Sequence, residues 1–172
     1  MRCIQVNRLK QRSPHNDFYD ILESPLGPLY LIFTAGVLSD ISFSKPSSVL
    51  LKRKEGMTTA RKELAEYFEK GRQEFTCETI FLEGTAFEKK VWNTLKKIPY
   101  GETRTYKWLA EEIEKPHAFR AVGNALGKNP IPIIFPCHRV IETDGSIGGY
   151  SPGVEIKRRL LEIEYYTRLS KR

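Results

Sequence analysis

Apolar residues in the first 84 positions fall mostly in short alternating runs, and beyond residue 84 they recur every third or fourth position. DFYDILES and PLYLIFTAG meet at Ser24–Pro28, and VLSDISF follows a turn at Ala35–Gly36. Runs this rich in β-formers, joined by such short links, predict three neighbouring antiparallel strands. KPSSVLLKRKEG reads as a loop. TTARKELAEYFEKGR carries Ala60, Leu64 and Phe68 at i, i+4 and i+8 and stops at Gly71, which predicts one helix. EFTCETIFLEG then returns as a strand containing a structural Cys77.

At Gly84 the pattern changes. Thr85 followed by Glu88 makes a capping box, in which each side chain satisfies an orphan backbone donor of the other. Phe87, Val91, Leu95 and Ile98 form the stripe of the helix behind it, which ends at Pro99. RTYKWLAEEIEK predicts a short helix capped by Thr105. Pro116, suited to a first helical turn, opens a second one in PHAFRAVGNALGKNP. Two short helices and a tight turn in a basic region form a helix-turn-helix candidate. In its second helix Ala121 and Ala125 share a face with Val122 and Leu126 beside them, and Gly123 removes bulk altogether. Small residues allow close approach of another surface, either a helix or a nucleic-acid groove, and the pattern leaves both open. Arg120 stands at the leading turn. These elements place a domain boundary near residue 84: an α/β structural domain over 1–84 and a mostly helical domain over 85–172.

Within the second domain, IPIIFPCHRVI interrupts an apolar run with a thiol, an imidazole and a guanidinium. A buried cysteine often serves only as a small hydrophobe. Adjacent side chains diverge in an extended segment, so a direct Cys137–His138 pair needs a bridging water or a tight turn at Pro136. Downstream, the helical stripe Ile156, Leu160 continues at Glu164 in VEIKRRLLEIEYY. A carboxylate on an inward face is costly unless paired, and His138 and Arg139 are the partners at hand. Glu164 on His138 orients the ring and raises its basicity. His138, through a water, can then deprotonate Cys137, whose free thiol is mostly protonated at neutral pH.

Composition narrows the setting. The 172 residues carry a net charge of +7, of which 1–84 hold +1 (12 basic, 11 acidic) and 85–172 hold +6 (16 basic, 10 acidic). That excess predicts a polyanion partner, nucleic acid first. No 18-residue apolar run marks a membrane span, and MRCIQVNRLKQRSPHN lacks the apolar core of a secretory signal; it reads as a weakly ordered arm. Cys3, Cys77 and Cys137 lack CxxC spacing, and His15, His117 and His138 lack metal-ligand spacing. The expectation is a reducing compartment, the cytoplasm (or nucleus, in a eukaryote), with no metal and no cofactor. A DNA-binding module without chemistry would explain the basic half but not the Cys137, His138 and Glu164 set. A cysteine hydrolase would explain the nucleophile but has no use for basic helices.

PCHRV (136–140), preceded by RAVGNAL and NPIPIIF and followed by GGYSPG (148–153), resembles the signature of the O6-alkylguanine-DNA alkyltransferases. IPYGETRTY (98–106) is similar to that family's lead into its helix-turn-helix, so the likeness runs over roughly 85–165. It implies an α+β fold: a small antiparallel sheet with a helix, ribonuclease H-like, then a helical domain with a winged helix-turn-helix-like motif. The implied activity is single-use transfer of an alkyl group from O6-alkylguanine, and from O4-alkylthymine, to Cys137. The implied partner is double-stranded DNA, bound by a monomer through the minor groove with the damaged base flipped out. A non-catalytic protein binding alkylated DNA is the alternative.

By the same resemblance, His138 and Glu164 form the water-mediated relay and Asn129 braces the cysteine turn. Tyr106 protonates the leaving guanine and crowds the phosphate that must rotate. The backbone of Cys137, Val140 and Ser151 reads the guanine edge, and Tyr150 and Lys157 belong to the substrate pocket. Arg120 fills the gap left in the duplex, with Ala121 and Gly123 of a recognition helix near 117–126 against the groove. Asn124 stands where many relatives carry a second glycine. Cys3, Cys77 and His15 make no credible set for the structural zinc of some relatives. Relatives with tryptophan in place of the cysteine bind without transfer, so Cys137 groups this chain with the reactive members.

Overall fold

The computed structural model describes residues 17–46, 51–52 and 56–171, so the N-terminal arm expected over residues 1–16, with Cys3 and His15, lies outside the described residues. The chain forms two compact units, Met1–Glu83 and Gly84–Arg172.

In the first unit β1 (Phe18–Ser24), β2 (Gly27–Thr34) and β3 (Val37–Ser42) pair antiparallel, and β4 (Leu51–Lys52) adds a parallel strand beside β1, giving the order β3-β2-β1-β4. The strand period explains the core: Leu29, Leu31 and Phe33 of β2 are buried while the residues between them are half-buried. Ala35 and Gly36 both hold positive φ, 50° and 78°, the conformation of a tight hairpin turn. Asp17 accepts a hydrogen bond from the Ala35 amide at 2.8 Å, which helps a non-glycine residue stay there. Helix α1 (Thr59–Lys70) begins at Thr58, whose hydroxyl accepts from the Arg61 amide, and ends at left-handed Gly71.

Three expectations for this unit need correction. The KPSSVLLKRKEG segment contributes β4 through Leu51 and Lys52, so the sheet is not wholly antiparallel. The α1 stripe is Ala60, Leu64 and Tyr67, with Tyr67 fully buried and Phe68 only half-buried; i+7 replaces i+8 because the helix turns 100° per residue. Residues 74–82 form no strand beyond a single bridge between Thr79 and Leu38. The reason is a competing acceptor: the Glu63 carboxylate takes the amide protons of Thr76 and Cys77 that a ladder would use.

The second unit opens with α2 (Ala86–Thr94), whose Thr85–Glu88 capping box is complete. Val91 and Trp92 on this helix, with Leu95 and Ile98 beyond it, are buried, and the Trp92 indole donates to the Ala125 carbonyl at 2.7 Å. Helices α3 (Tyr106–Glu112) and α4 (Phe119–Gly127) form the helix-turn-helix, α3 being capped by Thr105. Pro116 does not open α4; it sits in a turn three residues earlier, where the Ala118 amide donates to Lys115, so the helix spans 119–127. The buried stripe of α4 is Val122, Ala125 and Leu126, whereas Ala121 is exposed with Arg120 and Asn124. Ala121 and Ala125, one turn apart, therefore differ in burial, a correction: Ala125 is covered and Ala121 is open.

A parallel pair missed by the sequence reading, β5 (Arg104–Thr105) with β6 (Val140–Ile141), ties the start of α3 to the chain leaving Cys137. Helix α5 (Val154–Ser170) closes the unit with Lys157, Leu160 and Glu164 inward. Its inward phase runs through Lys157 rather than Ile156, which is half-buried.

Candidate active site

Two consecutive three-residue turns shape the approach to Cys137. The Ile134 amide donates to the Pro132 carbonyl at 2.9 Å across Ile133, whose φ is +72°. A β-branched residue at positive φ is strained, by about 1–3 kcal/mol. The Cys137 amide then donates to Phe135 at 2.8 Å across Pro136 (φ −78°, ψ 68°), an inverse γ-turn that suits proline. Asn129 holds this path from the side. Its amide nitrogen donates to the Phe135 carbonyl at 2.7 Å and to Cys137 Sγ at 3.1 Å, and its oxygen accepts from the Ile131 amide at 3.1 Å.

Cys137–Arg139 form a turn of 3-10 helix with all three side chains buried. His138 Nε2 lies 2.8 Å from Glu164 Oε1, and Arg139 binds the same carboxylate through Nε (2.9 and 3.1 Å) and Nη2 (2.9 Å). The Gly101 amide adds a donor to Oε2 at 2.9 Å, and Arg139 Nη1 reaches the Ile98 carbonyl at 2.8 Å. Burial pushes the Glu164 carboxyl up, yet His138 and Arg139 together outweigh it and hold it well below the usual carboxylate range. Burial pushes His138 down, against the pull of Glu164. The resting pair is thus a carboxylate accepting Nε2–H from a neutral ring, which leaves Nδ1 as the basic nitrogen. That Nδ1 is buried with no hydrogen-bond partner among the described residues.

Burial also raises the Cys137 thiol, opposed by the Asn129 donor, the Tyr150 hydroxyl and the Lys157 charge. Tyr150 faces the sulfur in a geometry short of a regular hydrogen bond, and its buried hydroxyl has no regular partner among the described residues. Lys157 is fully buried and donates to the Val140 carbonyl at 2.6 Å and the Gly149 carbonyl at 3.2 Å. Burial lowers it to about 8, with Cys137 and Glu142 pulling the other way. Its Nζ stands 6.0 Å from the centre of the Tyr106 ring.

The Tyr106 ring packs beside Gly123, where a Cβ would stand 3.8 Å from it. Gly148 is tighter: a Cβ there would meet Glu142 Oε1 at 3.1 Å and the Tyr106 hydroxyl at 3.3 Å. Ser151 donates its hydroxyl to the Gly127 carbonyl at 2.7 Å, joining the 148–153 loop to the end of α4. Arg120 and Ala121 lie on the exposed face of α4. Asn129, Cys137, His138, Glu164, Tyr106, Tyr150 and Lys157 therefore converge around one thiol, and Val140 joins them through its carbonyl. Gly101 and Glu142 were missed. A backbone donor carries no sequence signal, and Glu142 comes near Tyr106 through the fold of the loop around Gly148. Lys157 had a signal: with Leu160 and Glu164 it completes an i, i+3, i+7 stripe.

A helix-turn-helix unit joined to a buried, braced thiol defines a DNA-binding protein with a reactive cysteine. Residues 86–166 match the family described as 6-O-methylguanine DNA methyltransferase, DNA binding domain. The chain is 44% identical over 153 residues to the methylated-DNA–protein-cysteine methyltransferase of Methanosarcina barkeri, covering 86% of this chain and 96% of that protein. The enzyme of that name from Mycobacterium tuberculosis is 43% identical over 151 residues, 85% of this chain and 91% of its own length. Among solved structures, Mycobacterium tuberculosis OGT in complex with DNA superposes with a TM-score of 0.80 at 40% identity, covering 87% of this chain and 94% of that one. The chain belongs to the methylated-DNA–protein-cysteine methyltransferase family.

Proposed function

We propose that this protein repairs DNA by moving the alkyl group of O6-alkylguanine onto Cys137, once per chain. The observation that carries this reading is the polarity of the buried network. Glu164 and Arg139 fix His138 so that its free basic nitrogen is Nδ1, in the turn that holds the Cys137 thiol. The Cys137 proton passes through a bridging water to Nδ1, and the resulting imidazolium is stabilised by Glu164. The sulfur then attacks the alkyl carbon. An S–C bond forms, the C–O6 bond breaks, and the departing guanine takes a proton from Tyr106. The product is a thioether, which has no carbonyl for water to attack, so the chain stops at one equivalent.

A base inside a duplex cannot reach a thiol this deeply buried, so the target nucleotide is flipped out. The exposed face of α4, with Arg120, Ala121 and Gly123, enters the minor groove, and Arg120 fills the vacated space. Asn129 keeps Cys137 on its turn, and Tyr106 crowds the phosphate that must rotate. The carbonyls of Cys137 and Val140, the latter held by Lys157, and the Ser151 amide read the guanine edge, while Tyr150 lines the pocket. The second unit carries DNA binding and transfer, and the first unit is a structural domain; the protein works as a monomer in a reducing compartment. Among the described residues no helix is long and apolar enough to cross a membrane.

Intact-protein mass after mixing with a duplex containing O6-methylguanine tests the reading. It predicts the gain of one methyl on Cys137 and no further product with excess DNA, and no transfer by Cys137→Ser, which still binds the duplex. Binding with no mass change would leave a non-catalytic binder of alkylated DNA.

A further inference from the structure

Glu142 is an anomaly in the unit that carries the excess of +6. The residue is exposed near Tyr106 and Gly148, and among the described residues no cation bridges its carboxylate and no donor binds it. The backbone that carries it is held in a turn. The Glu142 amide donates to the Ser146 carbonyl at 3.0 Å and the Gly145 amide donates back to Glu142 at 3.1 Å, closing a turn directly after β6. A Cβ placed on Gly148 would lie 3.1 Å from Glu142 Oε1 and 3.3 Å from the Tyr106 hydroxyl, so the carboxylate and the phenol share one neighbourhood. Two other groups that titrate stand close to Tyr106: the Cys137 thiol, and Lys157, whose ammonium is already engaged by two carbonyls. The α4 face against the ring presents Gly123, which has no charge. Burial, then Glu142, then Cys137 raise the Tyr106 phenol, so Tyr106 is neutral at physiological pH.

A carboxylate with no cation in direct contact, only the more distant Lys157 charge, is an unfavourable neighbour for a polyanion unless repulsion is its use. A nucleotide that reaches Cys137 must carry its flanking phosphates past Tyr106. We infer that Glu142 is a positioning residue: its charge repels a phosphate flanking the lesion while the nucleotide is still stacked, and so biases the nucleotide toward the flipped state. The idea rests on the reading above, in which Tyr106 crowds that phosphate; Glu142 adds a charge to a steric push. Repulsion that is relieved by flipping favours flipping, whereas repulsion felt equally in both states would only weaken binding.

The test uses the full chain and duplexes containing O6-methylguanine, with either all-phosphate backbones or one neutral methylphosphonate at the linkage on either side of the lesion. Unstacking is followed by 2-aminopurine fluorescence beside the lesion in a Cys137→Ser background, and transfer is followed under single-turnover conditions with Cys137 intact. On the all-phosphate duplex, Glu142→Gln is expected to lower both the unstacked fraction and the transfer rate roughly threefold to tenfold, the scale of a partly screened charge pair. Glu142→Asp should restore most of the loss, and added salt should shrink it. With the responsible linkage neutral, native Glu142 and the glutamine variant should coincide. A glutamine variant equal to the native protein on the all-phosphate duplex overturns the inference. So does a deficit that persists on both neutral duplexes, since Glu142 would then act through Tyr106 or the turn. If the native chain transfers no alkyl group, the proposed function falls, and the unstacking comparison, which needs no chemistry, still judges Glu142.

Discussion

Glu63 in the first unit and Glu164 in the second are both buried carboxylates held by an arginine and by backbone amide donors. In the first unit Glu63 takes the Thr76 and Cys77 amides, the Thr76 hydroxyl and Arg72 Nη2 at 2.8 Å. In the second, Glu164 takes the Gly101 amide, Arg139 and His138. Burial raises both carboxyls and their donors outweigh it, so both are held below the usual range. The difference lies in where each network ends. The donors of Glu63 are backbone amides, a hydroxyl and a guanidinium, none of which has a proton to trade at neutral pH. Glu164 ends on an imidazole whose far nitrogen is buried and unpartnered among the described residues. A network that closes on itself holds a segment in place. One that ends on an unpartnered imidazole nitrogen can pass a proton.

The sharpest way to break this comparison is to remove the closed network. Glu63→Ala leaves Arg72 and two amides without their acceptor, and breaking such a buried set typically costs about 3–5 kcal/mol. Denaturant unfolding should show that loss at pH 7, while transfer per folded molecule stays unchanged. The sign follows from the depressed carboxyl: stability from Glu63 is present above the ordinary glutamate range and fades as pH falls through it, so the two proteins should converge in acid. A change in transfer rate for the folded variant would show that Glu63 serves more than structure.

Alkylation offers a second contrast, of smaller size. A methyl on Cys137 must fit where Asn129 now touches the sulfur, and overpacking a tight site costs about 1–3 kcal/mol. The modified protein should melt below the free one. Equal melting temperatures would show that the pocket accepts the methyl without strain.

Asp40 supplies the smallest. Half-buried on β3 opposite Ile32, it is raised to about 6 by burial. A raised acid favours the folded state below its ordinary value and loses that advantage as pH climbs to about 6. Asp40→Asn should therefore stabilise the protein at pH 8 by roughly 1–2 kcal/mol, allowing for partial exposure, and gain little at pH 4. A gain of the same size at both pH values would locate the effect in packing rather than charge.

The two units also differ in how far their sequences announce them. Strands β1 to β3 were legible because their alternation is regular and their turns carry positive-φ residues. Residues 74–82 were misread because β-rich composition cannot reveal that Glu63 captures their amides. The two-residue β4 and the β5–β6 pair are too short to leave a period. In the second unit Glu164 was legible because a carboxylate interrupts an apolar helical stripe, and Cys137 because PCHRV stands in an apolar run. The start of α4 was misplaced because Pro116 suits a turn as well as a first helical residue. The position of Glu142 depends on a loop crossing at Gly148 and has no linear signature at all.

The central claim is that the Glu164–His138 network ends on a nitrogen that receives the Cys137 proton. The most direct measurement is the single-turnover rate of methyl transfer against pH for the native chain and Glu164→Gln, at a temperature where both are folded. Without the carboxylate His138 is a weaker base and its imidazolium is unsupported. The account predicts transfer slowed roughly a hundredfold near neutral pH, with the rise of rate displaced to higher pH. Profiles that overlay would contradict it, and would make Glu164 a structural carboxylate of the same kind as Glu63.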